Sequence, residues 1–225
     1  MLKQIIYSIN KILNKRSVIL SRPLVNHDQT LYIDPLRKMD YVRCMTLNLL
    51  ANEIHDKNLD GNVAEVGVFK GEFARLLNQS FPEKILYLFD TFEGFSELDF
   101  QTANEPTKYK ETAHNFKDTS IDTVLAGMKN KSNCIIKKGY FPETALGLEN
   151  ETFCLVSLDA DLYKPIYDGL NFFYPRLTKH GYILVHDYNN KEYPGAKKAV
   201  QEFAAENKLS PIPIADGWGS VIFSK

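Results

Sequence analysis

Asn62-Val63-Ala64-Glu65-Val66-Gly67-Val68-Phe69-Lys70-Gly71 decides how the rest of the chain is read. A short apolar run meets two glycines spaced G-x-x-x-G, and a helical pattern follows at once, so the stretch reads as the strand, turn and helix that begin a βαβ unit. Outward from it, apolar runs at 62–66, 85–89, 133–137, 153–158, 182–185, 212–215 and 220–223 alternate with helical patterns at 71–79, 120–129, 164–177 and 194–206. Runs apolar on both faces, separated by helices, predict an α/β fold of Rossmann-like type. The sheet is expected to be seven-stranded and mostly parallel, with helices on both faces. Asp216-Gly217 between the last two runs predicts an antiparallel C-terminal hairpin. Asp118-Thr119-Ser120 supplies an N-cap for the helix at 120–129. Residues 96–117 are polar and weakly periodic, which suits a mobile loop over a site.

The 225 residues carry 27 Lys and Arg against 28 Asp and Glu, a net charge of −1 that argues against a nucleic-acid partner. Hydrophobic residues make up 44%, enough for an ordinary core, and the length fits one α/β domain better than two. Cys44, Cys134 and Cys154 are odd in number, without CxxC spacing, which predicts reduced thiols and a cytoplasmic protein. No apolar run approaches the ~20 residues that span a bilayer, and no secretory signal is seen. Residues 2–16 place Leu2, Ile5, Ile6, Ile9, Ile12 and Leu13 at helical spacing among Lys3, Lys11, Lys15 and Arg16. This stripe is expected to pack on the domain or on a second copy as a homo-oligomer such as a dimer, with weak peripheral membrane association as the alternative. A second helical stretch, 35–55, reads as a lid or cap. The expected organisation is therefore 1–58 as amphipathic and cap helices and 59–225 as the ligand-binding domain.

Several strand ends carry chemistry. A dinucleotide turn needs G-x-G-x-x-G so that pyrophosphate can sit on the helix N-terminus; here the middle glycine is missing and Glu65 stands just upstream. A carboxylate there repels phosphates and suits a cationic ligand, and S-adenosylmethionine is of that kind. The same glycine pair read alone also fits simple packing of a turn. Asp90 closes the next run near the ~20-residue offset expected of a ribose-hydroxyl ligand, and Thr91-Phe92-Glu93-Gly94-Phe95 follows it with aromatics that can wall a cavity. Asp159-Ala160-Asp161 and His186-Asp187 end the fourth and fifth strands, whose tips face one crevice in open α/β sheets. Three carboxylates and an imidazole there invite a divalent cation: Mg²⁺ with oxygen ligands alone, Mn²⁺ or Fe²⁺ if His186 ligates. Alternatively, Asp159 and Asp187 cap helices and His186 satisfies backbone groups.

These residues resemble the macrocin O-methyltransferase group of class I S-adenosylmethionine-dependent methyltransferases, which act on sugar hydroxyls. The resemblance runs from about Leu36 to the C-terminus. It rests on Glu65 to Gly71, on Phe89 to Phe95, on Lys138-Gly139-Tyr140-Phe141-Pro142-Glu143-Thr144 and on Leu158 to Tyr163. Tyr174-Pro175-Arg176-Leu177, His186-Asp187-Tyr188 and Pro194-Gly195-Ala196-Lys197-Lys198-Ala199-Val200 complete the set in order. It implies the class I methyltransferase fold, with Glu65, Gly67, Val68, Phe69, Gly71, Asp90, Thr91 and Asp159 on the cofactor and Gly139, Tyr140 and Phe141 beside its adenine. Asp159, His186 and Asp187 match the metal-site positions, although the group usually shows an acidic pair where this chain has His186-Asp187. The general-base lysine of the related catechol methyltransferases falls at Leu162, with Lys164 two residues further on.

The expected activity is O-methylation of a sugar or glycosylated small molecule, with S-adenosylmethionine and a divalent metal, Mg²⁺ or Mn²⁺, as cofactors. Alignment of the acceptor oxygen with the methyl carbon is the main task. Asp159 and Asp187 would ligate the metal, His186 would ligate or act as base, and Asp161 would support the shell or act as base. Two other readings stand beside it: a glycosyltransferase using Asp159-Ala160-Asp161 as a DxD motif, and a cofactor-binding scaffold without chemistry. The acceptor pocket is expected from 36–43, 95–114 and Asp216-Gly217-Trp218.

Overall fold

The computed structural model describes residues 40–101 and 116–225, together with Ile5, Ser8, Ile9, Ile12 and Leu13. The chain forms two compact units, Met1–Thr30 and Leu31–Lys225. In the first, the five described residues are helical, as their spacing predicts. The rest of the 2–16 stripe, residues 35–39 of the cap helix and 102–115 of the polar loop lie outside the described residues. The cap helix belongs to the second unit, so the boundary expected between 58 and 59 does not separate compact bodies.

The second unit is built on strands β1 (Asn62–Val66), β2 (Leu86–Asp90), β3 (Cys134–Lys138), β4 (Phe153–Leu158), β5 (Leu177–Val185), β6 (Ile212–Pro213) and β7 (Val221–Ser224). Its helices are α1 (Tyr41–Asp56), α2 (Glu72–Ser80), α3 (Ile121–Ala126), α4 (Tyr163–Arg176) and α5 (Pro194–Asn207). The seven strands lie in the order β3-β2-β1-β4-β5-β7-β6. β1 pairs in parallel with β2 and β4, β2 with β3 and β4 with β5, while β7 runs antiparallel to β5 and β6. The order reverses between β1 and β4, and that switch point opens the crevice in which such sheets bind ligands.

Both faces of the sheet are buried, as continuous apolar strands require. Val66, Phe89, Val156, Leu158 and Val185 point to one side, packed by Ile166, Leu170 and Phe173 of α4 and Ala199, Val200 and Phe203 of α5. Val63, Leu88, Leu155 and Leu184 point to the other, against Cys44, Leu47, Ala51 and Ile54 of α1 and Phe73, Ala74 and Leu77 of α2. The cap helix thus supplies its apolar stripe as a layer of the core. Its N-cap is Asp40, whose side chain accepts from the Arg43 amide at 3.0 Å.

Three spans depart from expectation for local reasons. The 212–215 strand shrinks to Ile212–Pro213, and the Ile214 amide still donates to the Ser220 carbonyl at 2.8 Å as the chain enters the turn. α3 stops at Ala126, where Gly127, the least helix-favouring residue short of proline, forms the C-cap. Its N-cap is Ser120, as predicted. β5 begins at Leu177 rather than 182, with an irregularity between Phe153 and Leu155 absorbing the mismatch in register. Cys44, Cys134 and Cys154 are free thiols. No described helix is long and apolar enough to cross a membrane.

Candidate active site

The glycine turn after β1 is fastened from two directions. Gly67 has φ of +85°, and a Cβ there would lie 2.1 Å from the Asp159 carbonyl oxygen, so the turns after β1 and β4 touch through backbone alone. Asp90 secures the rest: Oδ2 accepts from the amides of Val68 at 2.7 Å and Phe69 at 2.8 Å, and Oδ1 accepts from Phe92 at 2.6 Å. Three of the roughly four acceptor sites of this carboxylate are therefore spent on its own loops, leaving room for one ligand hydroxyl. Thr91 is similarly occupied, its hydroxyl donating to the Gly94 carbonyl at 2.6 Å. Gly71, with φ of +73°, starts α2 and lies against Val124; it does not line the cavity, unlike the other ten residues expected to bind cofactor.

That cavity, of about 490 Å³, opens at the switch point. A volume of this size suits a cofactor or small ligand. Glu65 lies at its base, 1% exposed, and its Oε2 has no hydrogen-bond partner. Burial first, then the Asp159 charge, pushes the Glu65 carboxyl well above the usual carboxylate range, and the Arg43 charge offsets this only in part. Gly139, Tyr140 and Phe141 form a second wall. The Tyr140 hydroxyl donates to Asp99 Oδ1 at 2.9 Å, while Phe141 packs edge-on to Phe89 and stacks on Phe173. Phe95, Phe116, Tyr193 and Trp218 also line the cavity, and Phe95 contacts both Phe116 and Tyr193.

Beside Glu65 the tips of β4 and β5 bring Asp159, Asp161, His186 and Asp187 together, as their sequence positions predict. Neither Asp159 nor Asp187 is the N-cap of the helix that follows it: the caps of α4 and α5 are Leu162 and Tyr193. His186 Nδ1 lies 2.9 Å from Asp159 Oδ1 and 2.6 Å from Asp187 Oδ2. Asn190 Nδ2 donates to Asp187 Oδ1 at 2.8 Å. Arg43, reaching in from the first turn of α1, sets its guanidinium 2.8 Å from Asp159 Oδ2 and 4.0 Å above the Phe73 ring. Burial works against ionisation here, but Arg43 and His186 hold the Asp159 carboxyl well below the usual range. Burial likewise lowers the proton affinity of His186, but Asp159 and Asp187 outweigh it and raise its pKa to about 10. Asp161, with φ of +59°, is pushed well above the usual range by burial and by the charges of Asp187 and Asp159.

The spacing of this cluster is that of a cation site, since ligand atoms of Asp159, His186 and Asp187 lie within 4.8 Å of one another. Its hydrogen bonding is not. A metal needs lone pairs turned toward it. Here Asp159 Oδ2 is taken by Arg43, Asp159 Oδ1 and Asp187 Oδ2 by His186, and Asp187 Oδ1 by Asn190. With the Arg43 guanidinium on Asp159 Oδ2 and the His186 imidazole filling the space between Asp159 Oδ1 and Asp187 Oδ2, the positive charge and the place of an ion are both already supplied, so the cluster as arranged does not fit a divalent ion. Nor does a DxD reading fit, because the first carboxylate of Asp159-Ala160-Asp161 is already paired.

Sequence reasoning placed Arg43 and Asp99 only in segments expected to shape the acceptor pocket, and gave Asn190 no role. For Arg43 a signal existed: it shares the spacing of Leu47, Ala51 and Ile54, so a guanidinium sits on the buried stripe of an amphipathic helix. Lys164, by contrast, pairs with Asp168 at 2.6 Å and does not line the cavity.

Comparison with known proteins finds similar chains among O-methyltransferases. Demethyldecarbamoylnovobiocin O-methyltransferase of Streptomyces niveus is 22% identical over 181 residues, 76% of this chain and 66% of its own. The 8-demethyl-8-(2,3-dimethoxy-alpha-L-rhamnosyl)-tetracenomycin-C 4'-O-methyltransferase of Streptomyces olivaceus is 23% identical over 195 residues, covering 82% and 72%. The chain thus spans about two thirds of the length of these relatives. The solved structure of the O-methyltransferase NovP superposes with a TM-score of 0.73 at 21% identity, covering 82% of this chain and 79% of that one, which shows a shared fold. The family described as Macrocin-O-methyltransferase (TylF) matches residues 38–225, and with its glycine turn, its acid cluster and its strand order in place the chain belongs to that family.

Proposed function

We propose that this chain transfers the methyl group of S-adenosylmethionine to a hydroxyl of a sugar or glycosylated small molecule. The observation that carries the reading is Glu65, a buried carboxylate with an unpartnered oxygen at the base of the switch-point cavity. Such a group is costly unless a ligand meets it, and a cationic donor bearing an ammonium and a sulfonium does so. When bound, this donor supplies a methyl group that leaves on an in-line path, the carbon–sulfur electron pair returning to sulfur.

The chain's own residues hold and align. Glu65 and the Gly67 turn bind the amino-acid end, Asp90 offers its remaining acceptor site to one ribose hydroxyl, and Tyr140 and Phe141 wall the adenine. Asp161 lines the same cavity and, in its ionised form, which burial and the Asp187 and Asp159 charges make unusually basic, accepts the acceptor's hydroxyl proton as the new carbon–oxygen bond forms. Phe95, Phe116, Tyr193 and Trp218 present aromatic faces on which the apolar side of a sugar ring can lie. The rhamnosyl acceptor in the name of the tetracenomycin relative supports a sugar hydroxyl as the target.

Calorimetric titration tests the reading. The chain should bind S-adenosylmethionine without needing any nucleotide sugar, and Glu65→Gln should weaken that binding about tenfold or more, the loss expected of one charged partner. Asp161→Asn should keep that affinity while losing turnover. Absence of heat with S-adenosylmethionine, or binding of a nucleotide sugar instead, would overturn it.

A further inference from the structure

We propose that the acid cluster of this chain is closed to divalent metal, because the Arg43 guanidinium and the His186 imidazole already stand on the carboxylate oxygens a metal would require. The inference rests on the methyltransferase reading for its meaning, but its geometry is independent of that reading. Arg43 brings a permanent positive charge to within 2.8 Å of Asp159 Oδ2, and its side chain is only 11% exposed. His186 Nδ1 sits within 2.9 Å of one carboxylate oxygen and 2.6 Å of another. A nitrogen so close to two carboxylate oxygens has to carry the hydrogen between them, so that nitrogen cannot offer its lone pair to a metal. Asn190 completes the set by donating to Asp187 Oδ1.

Asp159 and Asp187 thus meet two cationic side chains and an amide, while burial and their charges favour the neutral form of the neighbouring Asp161, which is the condition under which buried charge is tolerated without an ion. Relatives with an acidic pair at the tip of the fifth strand would have one more carboxylate and one fewer donor. Replacement by His186 reverses both at once. The positive charge facing the acceptor oxygen is then protein-borne, and methyl transfer does not depend on a chelatable ion.

The test uses the full chain, freed of metal by chelation and dialysis and titrated with Mn²⁺, free ion being read by electron paramagnetic resonance without S-adenosylmethionine or acceptor. The parent chain should leave Mn²⁺ free, whereas His186→Asp should bind it at least about tenfold tighter. Should His186→Asp fail to fold by circular dichroism, Arg43→Met, which frees Asp159 Oδ2, carries the same expectation. A parent chain that binds Mn²⁺ as tightly as the variant overturns the proposal, as does a folded variant that ignores the ion. Because no cofactor is present, failure of the chain to bind S-adenosylmethionine would sink the functional reading without altering this result.

Discussion

Replacing Asp90 with alanine separates two roles that a binding assay alone would merge. If the carboxylate served mainly to hold a ribose, its loss would cost affinity and leave the empty protein intact. The structure assigns it a larger internal task, because it accepts from the amides of Val68, Phe69 and Phe92 at 2.7, 2.8 and 2.6 Å. Hydrogen bonds to a charged group contribute about 1.5–3 kcal/mol each, but water entering from the cavity recovers part of that, so we expect a net loss near 3 kcal/mol. For a domain of this size that corresponds to roughly 6–12 °C in Tm. Urea unfolding of the cofactor-free chain, followed by circular dichroism, measures it, and Asp90→Asn should fall between, keeping one acceptor oxygen but turning an amide donor toward a donor. An Asp90→Ala chain whose urea midpoint is unchanged while its S-adenosylmethionine affinity collapses would refute the fastening role.

Two further outcomes follow from the same geometry. Gly67→Ala should destabilise by more than about 3 kcal/mol, because φ of +85° is unfavourable for alanine and the new methyl would lie 2.1 Å from the Asp159 carbonyl oxygen; near-parental urea stability would contradict that contact. His186, raised from its ordinary 6.5 to about 10 because its carboxylate partners outweigh burial, contributes stability that is full below about pH 6.5 and lost as pH rises through 10. The gap in urea midpoint between the parent and His186→Gln should therefore narrow from pH 7 to pH 10, and a constant gap would remove the imidazole from that pairing.

Much of the fold was legible because a parallel sheet buried on both faces writes itself as apolar runs. Val63 to Val66 and Leu155 to Leu158 needed no partner to be recognised, and Asp216-Gly217 marked the hairpin. Element ends were less legible, since they depend on contacts between distant segments: the irregularity at Phe153 of β4 lets β5 begin five residues early. Within the site, the residues at strand tips could be read from position alone. What each tip residue bonds to could not. The pairing of Arg43 with Asp159 joins a helix to a strand more than a hundred residues later, and the commitment of Asp90 to three amides depends on how two turns fold back on it. Local pattern carries the sheet, and long-range charge pairing carries the chemistry.

The contact between Gly67 and the Asp159 backbone has a consequence for how such a site diversifies. With no side chain separating them, the two turns are mechanically a single wedge, so a shift at the donor's seat is passed directly to the proton-accepting end. New acceptors are therefore best accommodated at the aromatic rim, around Phe95, Tyr193 and Trp218, where exchange of one ring for another leaves that wedge unmoved.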